Sequence, residues 1–136
     1  MSKHPVVHFE MPYENHDRVI SFYSSAFGWQ MAGTGAEMGH YVLAGTAETD
    51  ENRMVKTPGT INGGFYPKKD LPEGMAAVPS FVISVADIKA AMANITKAGG
   101  VVLGEPMPIP GVGQYVSFTD TEGNRVSILQ PEMRDC

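Results

Sequence analysis

Three observations predict an α+β fold of two tandem βαβββ modules forming a curved mixed sheet around one cavity. First, the chain repeats itself. Gly39-His40-Tyr41-Val42 returns as Gly113-Gln114-Tyr115-Val116, and Gly59-Thr60-Ile61-Asn62-Gly63 returns as Gly123-Asn124-Arg125-Val126-Ser127. The order is kept, with spacings of 74 residues (39 to 113) and 64 residues (59 to 123), so the first half carries an insertion between Ala44 and Gly59. Second, each half sets one amphipathic helix between a first strand and a group of later ones. Third, 136 residues suit one compact domain, whereas a half of that length would bury too little surface to stand alone. The halves are expected to close on one another or on a second subunit.

In the first module, spanning about 5–70, Val6 to Met11 alternates around His8 and Glu10 as strand one, and Pro12 is expected to end ladder pairing on one side. Val19, Phe22, Tyr23, Ala26 and Phe27 then fall at helical spacing. Asn15 or Asp17 is available as N-cap, and Gly28 stands just past the last periodic residue. Trp29 to Ala32, His40 to Ala44 and Ile61 to Tyr66 read as short strands between glycine-rich turns. Trp29, directly after the helix-ending glycine, suits core packing or a dimer contact.

The segment Leu71 to Pro79, with its prolines and Gly74, reads as a linker. The second module, about 80–131, opens with a strand over Phe81 to Val85. A helix follows, started by Asp87, striped by Ile88, Ala91, Met92 and Ile95, and stopped by Gly99. Val101 to Leu103, Gln114 to Thr119 and Arg125 to Leu129 complete the strands, the last two joined at Gly123-Asn124. Thr46 to Pro58 is a polar loop that is either a binding lid or simply mobile. The run Glu105 to Gly113, with three prolines, reads as a rigid connector or one wall of a pocket mouth.

Charge narrows the function. A net charge of −5, with Lys68-Lys69 as the only adjacent basic pair, gives no footprint for nucleic acid. The first residues run into a strand without a long apolar stretch, so neither a signal peptide nor a membrane span is expected, and the simplest location is the cytoplasm. Cys136, the single cysteine, can form no internal disulfide and agrees with a reducing compartment.

Val7-His8-Phe9-Glu10, Phe22-Tyr23 with Phe27-Gly28-Trp29, Ile61-Asn62-Gly63-Gly64, Val85-Ala86-Asp87-Ile88, Ala98-Gly99-Gly100 and Asp120-Thr121-Glu122-Gly123-Asn124 together resemble the vicinal oxygen chelate superfamily. That superfamily includes glyoxalase I, the bleomycin and fosfomycin resistance proteins and the extradiol dioxygenases. The Gly63-Gly64 pair and Pro108-Ile109-Pro110-Gly111 look like its bacterial glyoxalase-related branch. The resemblance implies four metal ligands, two from the first strands of the modules and two from the last, carried over as His8, Ser80, Gly63 and Ser127. Such a metal needs about four N or O donors at roughly 2.0–2.2 Å with coordination sites left open. Glycine offers no side-chain donor and serine hydroxyls are weak ligands, so no divalent metal cofactor is expected. A slip of one residue offers Asn62 or Gly64, and Val126 or Ile128, without restoring a carboxylate.

His8 and Glu10 share a strand face about 7 Å apart. They suit a general acid/base pair or a structural pair in which Glu10 is satisfied by a backbone donor or by Arg125. His40 and Gln114 are equivalent in the repeat, as are Tyr41 and Tyr115. One pair should line the cavity, and the polar His40 and Gln114 are favoured. The expected ligand-binding set is thus His8, Glu10, His40, Asn62, Ser80, Gln114 and Ser127, with His8 and Glu10 as the catalytic candidates. The function expected is metal-independent binding of a small, partly apolar molecule. The alternatives are a glyoxalase-like lyase, isomerase or dioxygenase using His8 and Glu10, and a homodimeric interaction module.

Overall fold

The computed structural model describes residues 3–132, so Cys136 lies outside the described residues. The fold is α+β, and among the described residues eight strands and two α-helices follow the βαβββ order twice. The chain divides into two compact units. One runs from His8 to Pro79; the other joins the N-terminal residues through Val7 to the chain from Ser80 onward.

In the His8–Pro79 unit the strand order is β2-β3-β4-β1. Strand β1 (Val6–Tyr13) lies parallel to β4 (Asn62–Pro67), while β3 (Val42–Gly45) is antiparallel to both β4 and β2 (Gln30–Gly33). Helix α1 (His16–Phe27) is capped by the Asn15 side chain, which accepts from the Arg18 N–H, and it ends at Gly28 in the left-handed conformation (φ 69°). Val42, Ala44 and Phe65 form the buried core, with Phe9, Met11, Val19, Tyr23 and Trp29 packed against it. Trp29 is half-buried against this core, stacked on Tyr23 with ring centroids 4.7 Å apart.

The Gly63-Gly64 pair belongs to this packing. A Cβ on Gly63 would fall inside the Phe9 ring on the helix side of the sheet, and one on Gly64 would fall inside the Tyr41 phenol on the other side. Adjacent residues point to opposite faces of a strand, so each glycine makes room for one aromatic ring.

The second unit has the same plan, ordered β5-β8-β7-β6. Strand β5 (Ser80–Ser84) is parallel to β8 (Arg125–Pro131), and β7 (Gly113–Thr119) is antiparallel to β8 and to β6 (Val101–Ile109). The Pro5 carbonyl accepts from the Ser84 N–H at 2.9 Å. Helix α2 (Ile88–Lys97) is capped by Asp87, which accepts from the Ala90 N–H. Its buried Ile88 and Ala91 pack with Val85, Val116, Phe118, Val126 and Ile128.

Strand β1 continues through Pro12 to Tyr13: proline lacks only its N–H, and the strand stays in register opposite Tyr66. Two expectations are corrected. The proline run is no connector, because β6 extends through Pro106 and Pro108 to Ile109. It does so across an irregularity between Leu103 and Met107, beside Gly104 at φ 102°. The Thr46–Pro58 segment has structure of its own. Thr49 and Val55 form a β-bridge, and the Asp50 carboxylate accepts from the N–H groups of Asn52 and Met54.

Candidate functional site

Pairing of β1 with β4 sets His8 opposite Asn62, Phe9 opposite Gly63 and Glu10 opposite Gly64. Phe9 and Phe65 belong to the core under α1, so His8, Glu10, Asn62 and Gly64 lie on the other face. Tyr41, the residue before β3, reaches this face across Gly64. Its hydroxyl lies 2.8 Å from His8 Nε2 and donates to Glu10 Oε2 at 3.1 Å. Glu10 is only 6% exposed, and a buried carboxylate needs such donors.

Because the single phenolic proton goes to Glu10, the His8 proton is assigned to Nε2, where it is donated to Tyr41, leaving the lone pair on Nδ1. Desolvation by burial lowers the His8 pKa from 6.5 to about 4, so the imidazole is neutral at pH 7. The arrangement is a neutral base joined to a buried carboxylate through one phenol. Such a chain can orient a polar ligand group or pass a proton along its length.

The other expected residues lie elsewhere or are engaged. Asn62 shares the His8 face, but its Oδ1 accepts from the N–H groups of Thr46 and Ala47, both at 2.8 Å, and so ties down the start of the inserted loop. His40 adopts a left-handed backbone (φ 57°) and is exposed. It lines an open cleft of about 520 Å³ with Tyr13, Glu14, His16, Lys68 and Lys69. There Lys68 is paired with Glu14 at 2.7 Å, and neither His8 nor Glu10 lines that cleft.

In the second unit Ser127 is fully buried, 2.7 Å from the Tyr115 hydroxyl and 2.9 Å from Ser117 Oγ. The Ser80 hydroxyl is buried without a hydrogen-bond partner among the described residues. Gln114 is exposed.

Two sequence inferences about facing are therefore reversed. Tyr41 and Tyr115, rather than His40 and Gln114, present their hydroxyls to the face opposite the core. The sequence carried a signal for this: Val42 and Ala44 alternate as core residues, and the same alternation applied backward puts Tyr41 on the far face. The second reversal concerns the last strand. Gly63 points at Phe9 in the core, and Gly64 is the glycine on the His8 face. The structural repeat thus matches Gly64 with Ser127, one residue away from the match made on sequence.

The divalent metal that the sequence resemblance implies does not match these side chains. His8 and Glu10 converge on a phenol oxygen, the space at Gly64 is filled by the same phenol, and Ser127 is held by two hydroxyls. Among the described residues no group of three His, Cys, Asp or Glu is placed to hold an ion. The residues present do not fit a divalent metal. No helix among the described residues is long and apolar enough to cross a membrane.

Known proteins agree with this architecture. A "Probable lactoylglutathione lyase" of Vibrio cholerae is 29% identical over 132 residues, covering 96% of this chain and 93% of that protein. A "Glyoxylase-like domain-containing protein" of Didymella fabae is 29% identical over 124 residues, 88% of each chain. Among solved structures, methylmalonyl-CoA epimerase of Streptomyces coelicolor in complex with 2-nitronate-propionyl-CoA superposes with a TM-score of 0.70 at 16% identity. It matches over 97% of this chain and 100% of that one, a likeness of fold. The family model for the glyoxalase/bleomycin resistance protein/dioxygenase superfamily matches residues 6–128, and the chain belongs to that superfamily.

Proposed function

We propose that this protein binds a small, partly apolar molecule on the His8 face of its first unit without a divalent metal, the ligand's polar group being met by the His8–Tyr41–Glu10 chain. One observation carries the reading: His8 and Glu10, the two side chains best suited to ligate an ion, are joined through the Tyr41 hydroxyl at 2.8 and 3.1 Å. Hydrogen bonds of that kind orient a polar group within a desolvated surface. The names of the relatives suggest acyl thioesters as first candidates.

Titration calorimetry with lactoylglutathione and methylmalonyl-CoA, in the presence of a chelator, tests this. The expected result is binding that the chelator does not alter and that His8→Ala abolishes while the circular dichroism spectrum is kept. A stoichiometric divalent metal retained through dialysis and rebound tightly after removal would refute the metal-free reading.

A second reading is favoured by the neutral His8 and its link to Glu10: a lyase or isomerase that moves a proton within its substrate. His8 would accept the proton from a carbon acid at Nδ1 while its Nε2 proton moves through Tyr41 to Glu10, and the return path would deliver a proton to the neighbouring atom. On this reading the His8→Ala variant binds but does not turn over, and unchanged turnover removes it. We also propose a homodimer, supported by the exposure of Phe22 (56%) and Phe27 (63%) on α1.

A further inference from the structure

We propose that the Tyr41 phenol is a built-in plug: it occupies the point on which the ligating groups of the first unit converge and so closes a latent divalent-metal site. The proposal rests on the metal-free reading above and adds its cause. His8 Nε2 and Glu10 Oε2 are both within hydrogen-bond distance of one atom, the Tyr41 oxygen. An imidazole nitrogen and a carboxylate oxygen around a common centre are donors that zinc, nickel and cobalt accept. The separations of 2.8 and 3.1 Å suit a hydroxyl, because ligand bonds to such ions are shorter, about 2.0–2.2 Å.

Gly64 completes the argument. It lies opposite Glu10 on the neighbouring strand and on the same face, a position from which a side chain would reach the same centre as Glu10. The Cβ of any other residue there would fall inside the phenol. A donor at position 64 and the Tyr41 ring therefore exclude one another.

The second unit repeats the placement of the tyrosine, with a serine where the first unit has its glycine and without the histidine and carboxylate. Tyr115 stands to Ser127 as Tyr41 stands to Gly64, with its hydroxyl 2.7 Å from Ser127 Oγ. Ser127 is wholly inaccessible. The last-strand position is capped in the first unit by the tyrosine just before the strand two places removed from the first strand, and in the second unit by a tyrosine within that strand. A neutral phenol can both donate and accept, so it satisfies a histidine and a carboxylate without bringing an ionic charge into a desolvated site.

The test compares wild type, Tyr41→Ala, Tyr41→Phe and the double variant Tyr41→Ala/Gly64→Glu. It uses calorimetric titration with Zn²⁺ and Ni²⁺, the absorption spectrum with Co²⁺, and metal content after dialysis. Wild type and Tyr41→Phe, both of which keep the ring, should retain no ion. The double variant should retain about one ion per chain, with affinity raised by at least about tenfold, and His8→Ala in that background should abolish the gain. If the double variant does not fold by circular dichroism, Tyr41→Ala alone carries the test, because His8 and Glu10 remain and its affinity should still exceed that of wild type. A folded variant that binds no more tightly than wild type, or whose gain survives His8→Ala, overturns the plug and leaves the metal-free reading standing. Metal retained by wild type would instead refute that reading itself.

Discussion

His8 carries a charge problem that can be measured. Its imidazole is pushed down to a pKa of about 4 by burial, against about 6.5 in an unfolded chain. Above pH 6.5 both states are neutral at this residue and His8 adds no pH dependence. As the pH falls from 6.5 to 4 the unfolded chain takes up the proton first, so stability falls across that window and the loss is complete below it. A limit of roughly 3 kcal/mol follows from the size of the shift. Thermal melts of wild type should therefore drop between pH 6.5 and 4, and His8→Gln, which cannot titrate there, should flatten that part of the profile. Parallel profiles would show that the acid sensitivity arises elsewhere. The candidacy of His8 and Glu10 was legible from their alternation on one strand. Tyr41 was not singled out, because residue type favoured the polar His40 while the facing was decided by the pairing of β3 with β4.

At the level of elements, caps and periodicity were informative wherever the interaction is local. Asn15, Gly28 and Asp87 hold the helix ends that their residue types imply. Prolines do not bound the strands here: Pro12 and the Pro106–Pro108 run sit within them, since the missing N–H matters only where the ladder demands a donor. Asn62 is the clearest case of a side chain whose task depends on a distant partner. Its Oδ1 accepts from Thr46 and Ala47, and the Thr46 hydroxyl donates to the Ile61 carbonyl, so the first residue of β4 and the one before it clamp the entry to the inserted loop. Asn62→Ala should speed amide exchange at 46 and 47 and through the loop to residue 60 by at least about tenfold, with the β7–β8 amides unchanged. Uniform protection in the variant would remove the clamp.

At the scale of the whole molecule the duplicated plan sets what the protein can be. The order β2-β3-β4-β1 in one unit is matched by β6-β7-β8-β5 in the other, each with a parallel pair beside two antiparallel ones. The homodimer belongs to this scale. Phe22 and Phe27 leave an aromatic surface on α1, and the expected outcome is a dimer in sedimentation at micromolar concentration that Phe22→Glu/Phe27→Glu converts to a monomer. A wild-type monomer at that concentration would remove the proposal.

The repeat, the helix caps and the strand periodicities determined by themselves the α+β class and the order of elements, because these depend on contacts near in sequence and on patterns that recur along the chain; the superfamily was carried by the resemblance of short motifs such as Ile61-Asn62-Gly63-Gly64. Only the tertiary structure decided which face each strand residue takes. Moving the last-strand register by one residue exchanges Gly63 for Gly64, turns the supposed ligand position from the His8 face to the Phe9 core, and brings Tyr41 over the vacated space. A strand alternates with period two, so a one-residue difference invisible in a repeat alignment inverts the chemistry of a site.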